Sequence, residues 1–597
     1  MREYNVPATY SIADDHFMGD PVLRNERNHP GAVLFLIPTA DGGWSELTAA
    51  EFAREVRAVA KGLIAAGLEV GDRVSLMSDT RYEWILLDYA IWFAGGVTVA
   101  IYASSAADQV RWVVEDSGSE LLVVETGAHL AIAEQAIAGL PVRETLHIDG
   151  GAITELITRG AEVPDNELDT RRARLGANSD ALVIYTSGTT GKPKGVPLTH
   201  GNLAAMAECA PARVPELLRP NGRTLLFLPL AHILAHATSL AAVEHRFTVA
   251  HTSDWTDLPA KFTALRPTGL VAVPRVFEKV YNGAKQKAHD NGKGAIFDRA
   301  SDVAIAWSRS LDAGGPGLLL RLQHLLFDKL VYGKLRAALG GQCAHAISGG
   351  APLGAWLAHF YRGVGVNIAE GYGLTETTAA ITLNGNQPRS QRLGSVGRPF
   401  DGHTVRLADD GELLVRGPVV FQGYWRNPQA TAESFTDGWF HTGDLAALDA
   451  DGYVTITGRK KEILVTAAGK NVSPAPLEDG LRAYPLISQC MVIGDAQPFI
   501  AALITLDRDA LPGWRERHGL DGGTSVADLI SHPDLIAEIN AAVAQVNARV
   551  SKAEQIKKIR ILDGEWSQET GELTPKLSLK RLAVLKRHAV EIDALYA

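Results

Sequence analysis

The sequence has only three cysteines, Cys209, Cys343 and Cys490, far apart and odd in number. That excludes a disulfide framework and a cysteine metal spacing, and it fits a reducing compartment. It also has no long arginine or lysine block. With a net charge of −10 and basic residues dispersed, it lacks the electrostatic footprint of a nucleic-acid binder. The opening segment, "MREYNVPATYS", has no apolar core of a secretory signal. The longest charge-free stretch, Tyr89 to Ala107, is broken by Gly95-Gly96 and diluted by Thr98, Ser104 and Ser105. It reads as a core helix followed by a buried strand, not as a membrane span. A cytoplasmic protein with peripheral membrane contact left open is the expectation.

What the chain does have is length and an ordinary globular balance. Its 597 residues, 46% hydrophobic and 21% charged, can bury large cores and call for two or more domains. Through most of the first 400 residues, apolar strand-like runs alternate with amphipathic helical stretches. "LTAAEFAREVRAVAKGLIAAGL" has helical apolar spacing and a glycine stop, and "DRVSLMS" follows as a strand. "ALVIYTS", "RTLLFLPL", "TGLVAVP" and "HAISGG" are short apolar runs ending in turn residues. The pattern predicts an α/β domain of layered, largely parallel sheets, with its site where loops leave the strand carboxyl ends. From about Gly411 glycine-punctuated, β-rich stretches follow: "GELLVRG", "GYWRN", "DGWFHTGD" and "DGYVTITGRKKEILV". A last segment is long enough for a small α+β domain. The expected division is 1–458, a hinge at 459–461, and 462–597.

"YTSGTTGKPKG", Tyr185 to Gly195, directly follows an apolar strand. Gly188 and Gly191 let the main chain approach a ligand closely. Thr186, Ser187, Thr189 and Thr190 add hydroxyls, and Lys192 and Lys194 add positive charge, which suits a polyphosphate. It is no Walker A loop: the glycine required five places after Gly188 is Pro193, and Lys192 precedes proline. A hydroxyl-rich surface turn is the bland alternative.

Other short constellations share this ambiguity. In "AEGYGLTETT", Ala369 to Thr378, a glycine-flanked Tyr372 can lie against a base, Thr375 can bond a phosphate and Glu376 can hold Mg²⁺; alternatively, Thr375 merely caps a turn. "SGGAPL", Ser348 to Leu353, allows close backbone approach to a flat ligand. "HTGD", His441 to Asp444, puts a carboxylate in a tight loop, where Asp444 could bind a ribose diol or cap a turn. "HILAH" has the spacing of a helical zinc pair, but Ile233 stands where a metalloprotease needs its glutamate. His232 then lines a pocket or sits in the core. Arg459, Lys460 and Lys461 form either a charged hairpin or a hinge.

Taken in order and spacing, these pieces resemble the adenylate-forming superfamily of acyl-CoA synthetases, adenylation domains and luciferases. "VPRVFEKV", Val273 to Val280, is similar to a signature of its long-chain fatty acyl-CoA synthetase branch. The resemblance runs from the Trp44 region almost to the C-terminus. It implies an AMP-forming acid–thiol ligase using ATP, Mg²⁺ and coenzyme A, with a small domain that closes over a large one.

Carried over by residue, the loop Thr186, Ser187, Gly188, Thr189, Thr190, Gly191, Lys192 and Lys194 would cradle phosphates. Gly349, Gly350 and Ala351, with Glu370, Gly371, Tyr372 and Gly373, would frame AMP. Thr375 would contact the α-phosphate, Glu376 the magnesium, Asp444 the ribose, and Arg459 ribose or phosphate. His232 would line the acyl pocket, and Lys461 matches the hinge. Relatives in the long-chain branch commonly carry a lysine where this sequence has Ser578; the adenylation lysine is expected at Lys576, with Lys580 as the alternative, because on a strand either shares a face with position 578. The stretch after His232 lacks an acid–base pair seen beside the pocket in many relatives. Transfer to a carrier protein, release of the adenylate, or a catalytically dead nucleotide binder are the competing functions; a homo-oligomer is left open.

Overall fold

The structure is a computed structural model that describes residues 2–39, 42–186, 192–256, 258–385, 390–574 and 578–597. Three sheets with parallel cores organise the first 400 residues. In the largest, Glu144–His147, Leu121–Val124, Arg73–Met77, Val97–Ile101 and Asp180–Thr186 run parallel in that order, and Lys194–Thr199 pairs antiparallel on the edge. Leu121–Val124 and Val97–Ile101 are buried at every position. Helices on both faces explain why these strands are continuous apolar runs and not alternating ones.

A second sheet sets Gly269–Ala272, His345–Ser348 and Asn367–Tyr372 parallel, then adds two short antiparallel strands. The third holds Arg223–Leu226, Thr248–His251 and Val33–Pro38 parallel, with Trp44–Thr48 antiparallel. The helix Ala49–Ala65 is closed at its start by a capping box between Thr48 and Glu51 and stops before Gly67, whose φ of +88° only glycine adopts readily. Tyr82–Phe93 and Val97–Ile101 take up the charge-free stretch as core helix and strand. Among the described residues, no helix is long and apolar enough to cross a membrane.

The β-rich part is an antiparallel sheet of Thr404–Leu407, Glu412–Arg416, Trp439–Leu448 and Val454–Arg459, joined by Glu3–Asn5. Two sequence expectations fail here. "GYWRN" is no strand; it is a turn leading into the helix Pro428–Ser434, capped by Asn427. "HTGD" is no loop, since it lies inside the strand Trp439–Leu448. Gly443, with φ of +72°, absorbs a register shift against Glu412–Leu414 there and re-aims Asp444.

From Val472 onward the chain has hydrophobic cores of its own, built on Ile487–Ile493, Ile500–Leu506 and Ile556–Leu562 with helices around them. This part rests on the helix Pro274–Asp290 through ion pairs from Arg275 to Asp507 at 3.1 Å and from Lys279 to Asp509 at 3.2 Å.

Candidate active site

The carboxyl ends of Gly269–Ala272, His345–Ser348 and Asn367–Tyr372 open into one cleft of about 3380 Å³. It is lined by Thr186, Lys194, His232, Gly349, Gly350, Ala351, Glu370, Gly371, Tyr372, Gly373, Thr375, Glu376, Asp444, Arg459 and Lys461. The cleft greatly exceeds the usual few hundred to a thousand Å³ of a single small-molecule pocket. There is space for several reactants.

Gly350 turns the chain away from its strand at φ +80°. Glu370, on the next strand, is 7% exposed, and its Oε1 accepts the Leu353 amide at 2.9 Å, tying the "SGGAPL" turn to the neighbouring strand. Burial pushes the Glu370 carboxyl up to about 8, against the pull of that amide.

Beside it, Tyr372 donates its hydroxyl to Asp444 Oδ2 at 2.5 Å, and Arg459 Nε donates to Asp444 Oδ1 at 3.0 Å. Burial pushes Asp444 upward while Arg459 and Tyr372 pull it down. The hydroxyl of Tyr372 is therefore committed to an acid, and its ring remains as a flat wall of the cleft.

After Tyr372 the chain makes a short 3₁₀ turn, Thr375–Thr377. Leu374 holds the capping position, and its amide donates to Thr377 Oγ1 at 2.8 Å, so capping does not account for Thr375. Glu376 Oε1 accepts from Tyr424 at 2.9 Å. Among the described residues no cation lies within 4 Å of the Glu376 carboxylate, although Lys194 Nζ stands 4.8 Å over the Tyr424 ring. Such a single carboxylate in an open cleft fits Mg²⁺, which takes one or two protein carboxylates and completes its shell with substrate phosphates and water. No cluster of three or more His, Cys, Asp or Glu that could hold a metal by itself exists among the described residues.

Thr186 faces Lys194 across the antiparallel pair Asp180–Thr186 and Lys194–Thr199. Lys192 Nζ lies 4.0 Å over the Trp112 ring, whose Nε1 donates to the Pro193 carbonyl at 2.9 Å. Ser187, Gly188, Thr189, Thr190 and Gly191 lie outside the described residues.

His232 stands at the mouth of the helix Ile233–His245, its Nδ1 accepting from Leu234 N at 3.3 Å. His236 does not share the cleft: it is fully buried, with Nε2 3.1 Å from Asp88. The zinc-pair spacing of "HILAH" thus divides between cleft and core.

The junction is held unevenly. Arg459 is bound to Asp444, and Lys460 to Asp410 at 2.5 Å and Glu412 at 3.1 Å. Burial would raise Glu412; His441, the Gly443 amide and Lys460 together hold it below the ordinary range. Lys461 is exposed and has no acidic partner within 4 Å among the described residues. Glu462 turns to the terminal part, where Arg581 reaches it at 3.3 Å and grips Glu478 with two bonds of 2.6 Å.

Leu573 bridges antiparallel to Leu579, with Thr574 N donating to Ser578 O and Lys580 N donating to Glu572 O. Lys580, two residues after Ser578 on this bridged segment, immediately precedes the helix Arg581–Arg587. Lys576 itself lies outside the described residues. Tyr424, Glu412 and Trp112 carry no motif of their own in the sequence; Gly423, directly before Tyr424, is the one visible hint of it.

Two family models match this chain. One, for the AMP-binding enzyme, covers residues 23–425, and one for the AMP-binding enzyme C-terminal domain covers 461–597. The chain belongs to the AMP-binding enzyme family. Within it, the chain is 53% identical over 600 residues, 100% of both chains, to the long-chain-fatty-acid–CoA ligase FadD15 of Mycobacterium bovis. It is 30% identical to the human long-chain-fatty-acid–CoA ligase ACSBG1 over 93% of this chain and 82% of that one. Its fold also matches the crystal structure of the anthranilate CoA ligase AuaEII with anthranoyl-AMP, at TM-score 0.73 and 20% identity, over 98% and 99% of the two chains. This AMP-binding enzyme thus has the expected fold: a large α/β part with mixed sheets and a smaller C-terminal domain.

Proposed function

We propose that this AMP-binding enzyme joins a long- or medium-chain fatty acid to coenzyme A, using ATP and Mg²⁺ and passing through acyl-AMP. The observation that carries the reading is one cleft in which Thr375, Glu376 and the Tyr372–Asp444–Arg459 chain stand together. Full-length identity of 53% to a protein named long-chain-fatty-acid–CoA ligase supports it.

A carboxylate does not acylate a thiol unaided, because oxide is a poor leaving group and the anion repels nucleophiles. In the first step a carboxylate oxygen bonds to the α-phosphorus of ATP, and the bond to the β-phosphate oxygen breaks with release of pyrophosphate. In the second the thiol sulfur attacks the acyl carbon, and AMP leaves with the C–O electron pair. The chain's task is to position reactants and meet developing charge.

In this reading Gly349, Gly350 and Ala351, with Glu370, Gly371, Tyr372 and Gly373, frame the adenine. Asp444 and Arg459 take the ribose, and Thr375 donates to the α-phosphate. Thr186 through Gly191, with Lys192 and Lys194, hold the outer phosphates. Glu376 would hold Mg²⁺, which neutralises charge on the phosphates. His232 lies beside the acyl carboxylate, and Lys576 serves adenylation, with Lys580 as its alternative. The division is 1–458, 459–461 and 462–597, with Lys461 as the pivot. We assign the enzyme to the cytoplasm, with peripheral contact to a membrane.

The test is a panel of fatty acids with ATP and coenzyme A, following AMP and thioester. AMP and thioester formed together support the reading. AMP without thioester, in the presence of coenzyme A, would redirect it to carrier-protein transfer; no carboxylate-dependent turnover across the panel would leave a nucleotide binder.

A further inference from the structure

The helix Leu318–Phe327 turns its leucines outward. Leu318 is 80% exposed, and Leu319, Leu322, Leu325 and Leu326 share its open side, with Leu330 one turn on. The inner side is fixed: Phe327 is buried, the His324 ring stacks on Trp307 at 4.0 Å, and His324 Nε2 donates to the Gly363 carbonyl at 2.7 Å. Scattered surface leucines need no explanation, but six on one face do.

Among the described residues, the charges around them that lack an ion-pair partner are cationic. Arg321, Lys329 and Lys334 are exposed and, among the described residues, have no acidic partner within 4 Å. The nearby acids are already taken, Asp328 by Arg336 at 2.7 Å and Asp312 by Arg362. In a chain of net charge −10, this is a local cationic rim around an apolar face.

We propose that this helix docks the enzyme on an anionic lipid bilayer, leucines entering the headgroup boundary and the three cations meeting lipid phosphates. At about 1.5 Å per residue the helix is about 15 Å long, half the hydrocarbon thickness, so it lies along the surface. A second copy is the weaker occupant. A two-fold contact sets a patch against itself, which would oppose Arg321, Lys329 and Lys334 to their own images. The helix packs on Gly294–Leu311, whose Arg309 lines the cleft. If the proposed fatty-acid substrate holds, docking would bring the cleft close to where such acids partition, and this use rests on that reading.

The full chain is floated with phosphatidylcholine vesicles, with and without phosphatidylglycerol. We expect flotation with the anionic vesicles, weakening as salt rises. Leu322→Glu/Leu326→Glu should weaken it by roughly tenfold per leucine. Arg321→Gln/Lys329→Gln should weaken it about fivefold per cation, only where phosphatidylglycerol is present. Turnover of dissolved octanoate should be unchanged in both variants, which also shows that they fold. No flotation of the parent, or equal flotation of the leucine variant, overturns the proposal. So does a dimer by gel filtration that the leucine variant dissociates without any vesicle binding. Absence of AMP formation from every acid, with flotation as expected, would sink the proposed reaction and leave the docking standing.

Discussion

The Tyr424 hydroxyl donates to Glu376 Oε1 at 2.9 Å while the same ring receives Lys194 Nζ at 4.8 Å over its face. One side chain thereby stands between the proposed metal carboxylate and the proposed phosphate-binding cation, Lys194.

Tyr424→Phe removes only the hydroxyl bond and keeps the ring under Lys194. A hydrogen bond to a charged group contributes about 1.5 to 3 kcal/mol, so loss of roughly tenfold or more in kcat/KM is expected, with a raised Mg²⁺ requirement. Carboxylate-dependent exchange of pyrophosphate into ATP, titrated with Mg²⁺, measures it. An unchanged Mg²⁺ dependence would remove Glu376 from the metal role.

Glu370 gives a pH signature. Its carboxyl moves from 4.5 to about 8 on folding, through burial. Between those values the folded chain holds one proton more than the unfolded chain, so stability that is complete below about 4.5 declines as pH rises through about 8. Glu370→Gln keeps an acceptor for the Leu353 amide and cannot ionise. Relative to this variant, the parent should lose melting temperature steadily from about pH 5 to 8; parallel melting curves would mean that Glu370 is ionised in the fold.

Legibility in the sequence followed a physical divide. Strands buried on both faces, such as Leu121–Val124, advertise themselves as apolar runs, and glycine-bearing turns at their ends marked Gly349, Gly371 and Glu376. Pairings across the chain left no such trace. Nothing in "GELLVRG" marks Glu412 as the partner of Lys460, 48 residues away, and nothing in "GYWRN" marks Tyr424 as the partner of Glu376. Gly443 misled in the other direction: its glycine suggested a loop, but here it sits in a bulge of its own strand, Trp439–Leu448, which continues past it.

The cleft is also lined by Met206 and Ala210 of the helix His200–Arg213 and by Ala237 and Ala241 of the helix Ile233–His245. Alanines at helical spacing leave an apolar passage where larger residues would close it. Ala237→Phe should therefore lower kcat/KM for hexadecanoate far more than for octanoate, by about tenfold or more, since each methylene that cannot be buried loses about 0.8 kcal/mol. Chain-length profiles of thioester formation read this directly. Equal losses on both acids would place the tail elsewhere.

The junction offers the sharpest separation of the two half-reactions. Arg459 and Lys460 are anchored to Asp444, Asp410 and Glu412, whereas Glu462 is held by Arg581 of the terminal part. Lys461 is the position between these two sets of anchors, so a rotation of the small domain would have to be absorbed by its dihedrals. Proline there fixes φ near −65° and removes the amide donor, without disturbing any ion pair on either side. Lys461→Pro should leave carboxylate-dependent pyrophosphate exchange within about threefold of the parent while cutting thioester formation by roughly a hundredfold, as expected of a blocked hinge. Lys461→Ala, which keeps the backbone mobile, should restore the second step. If proline and alanine impair both half-reactions alike, the side chain of Lys461 acts in the chemistry itself and the pivot lies elsewhere.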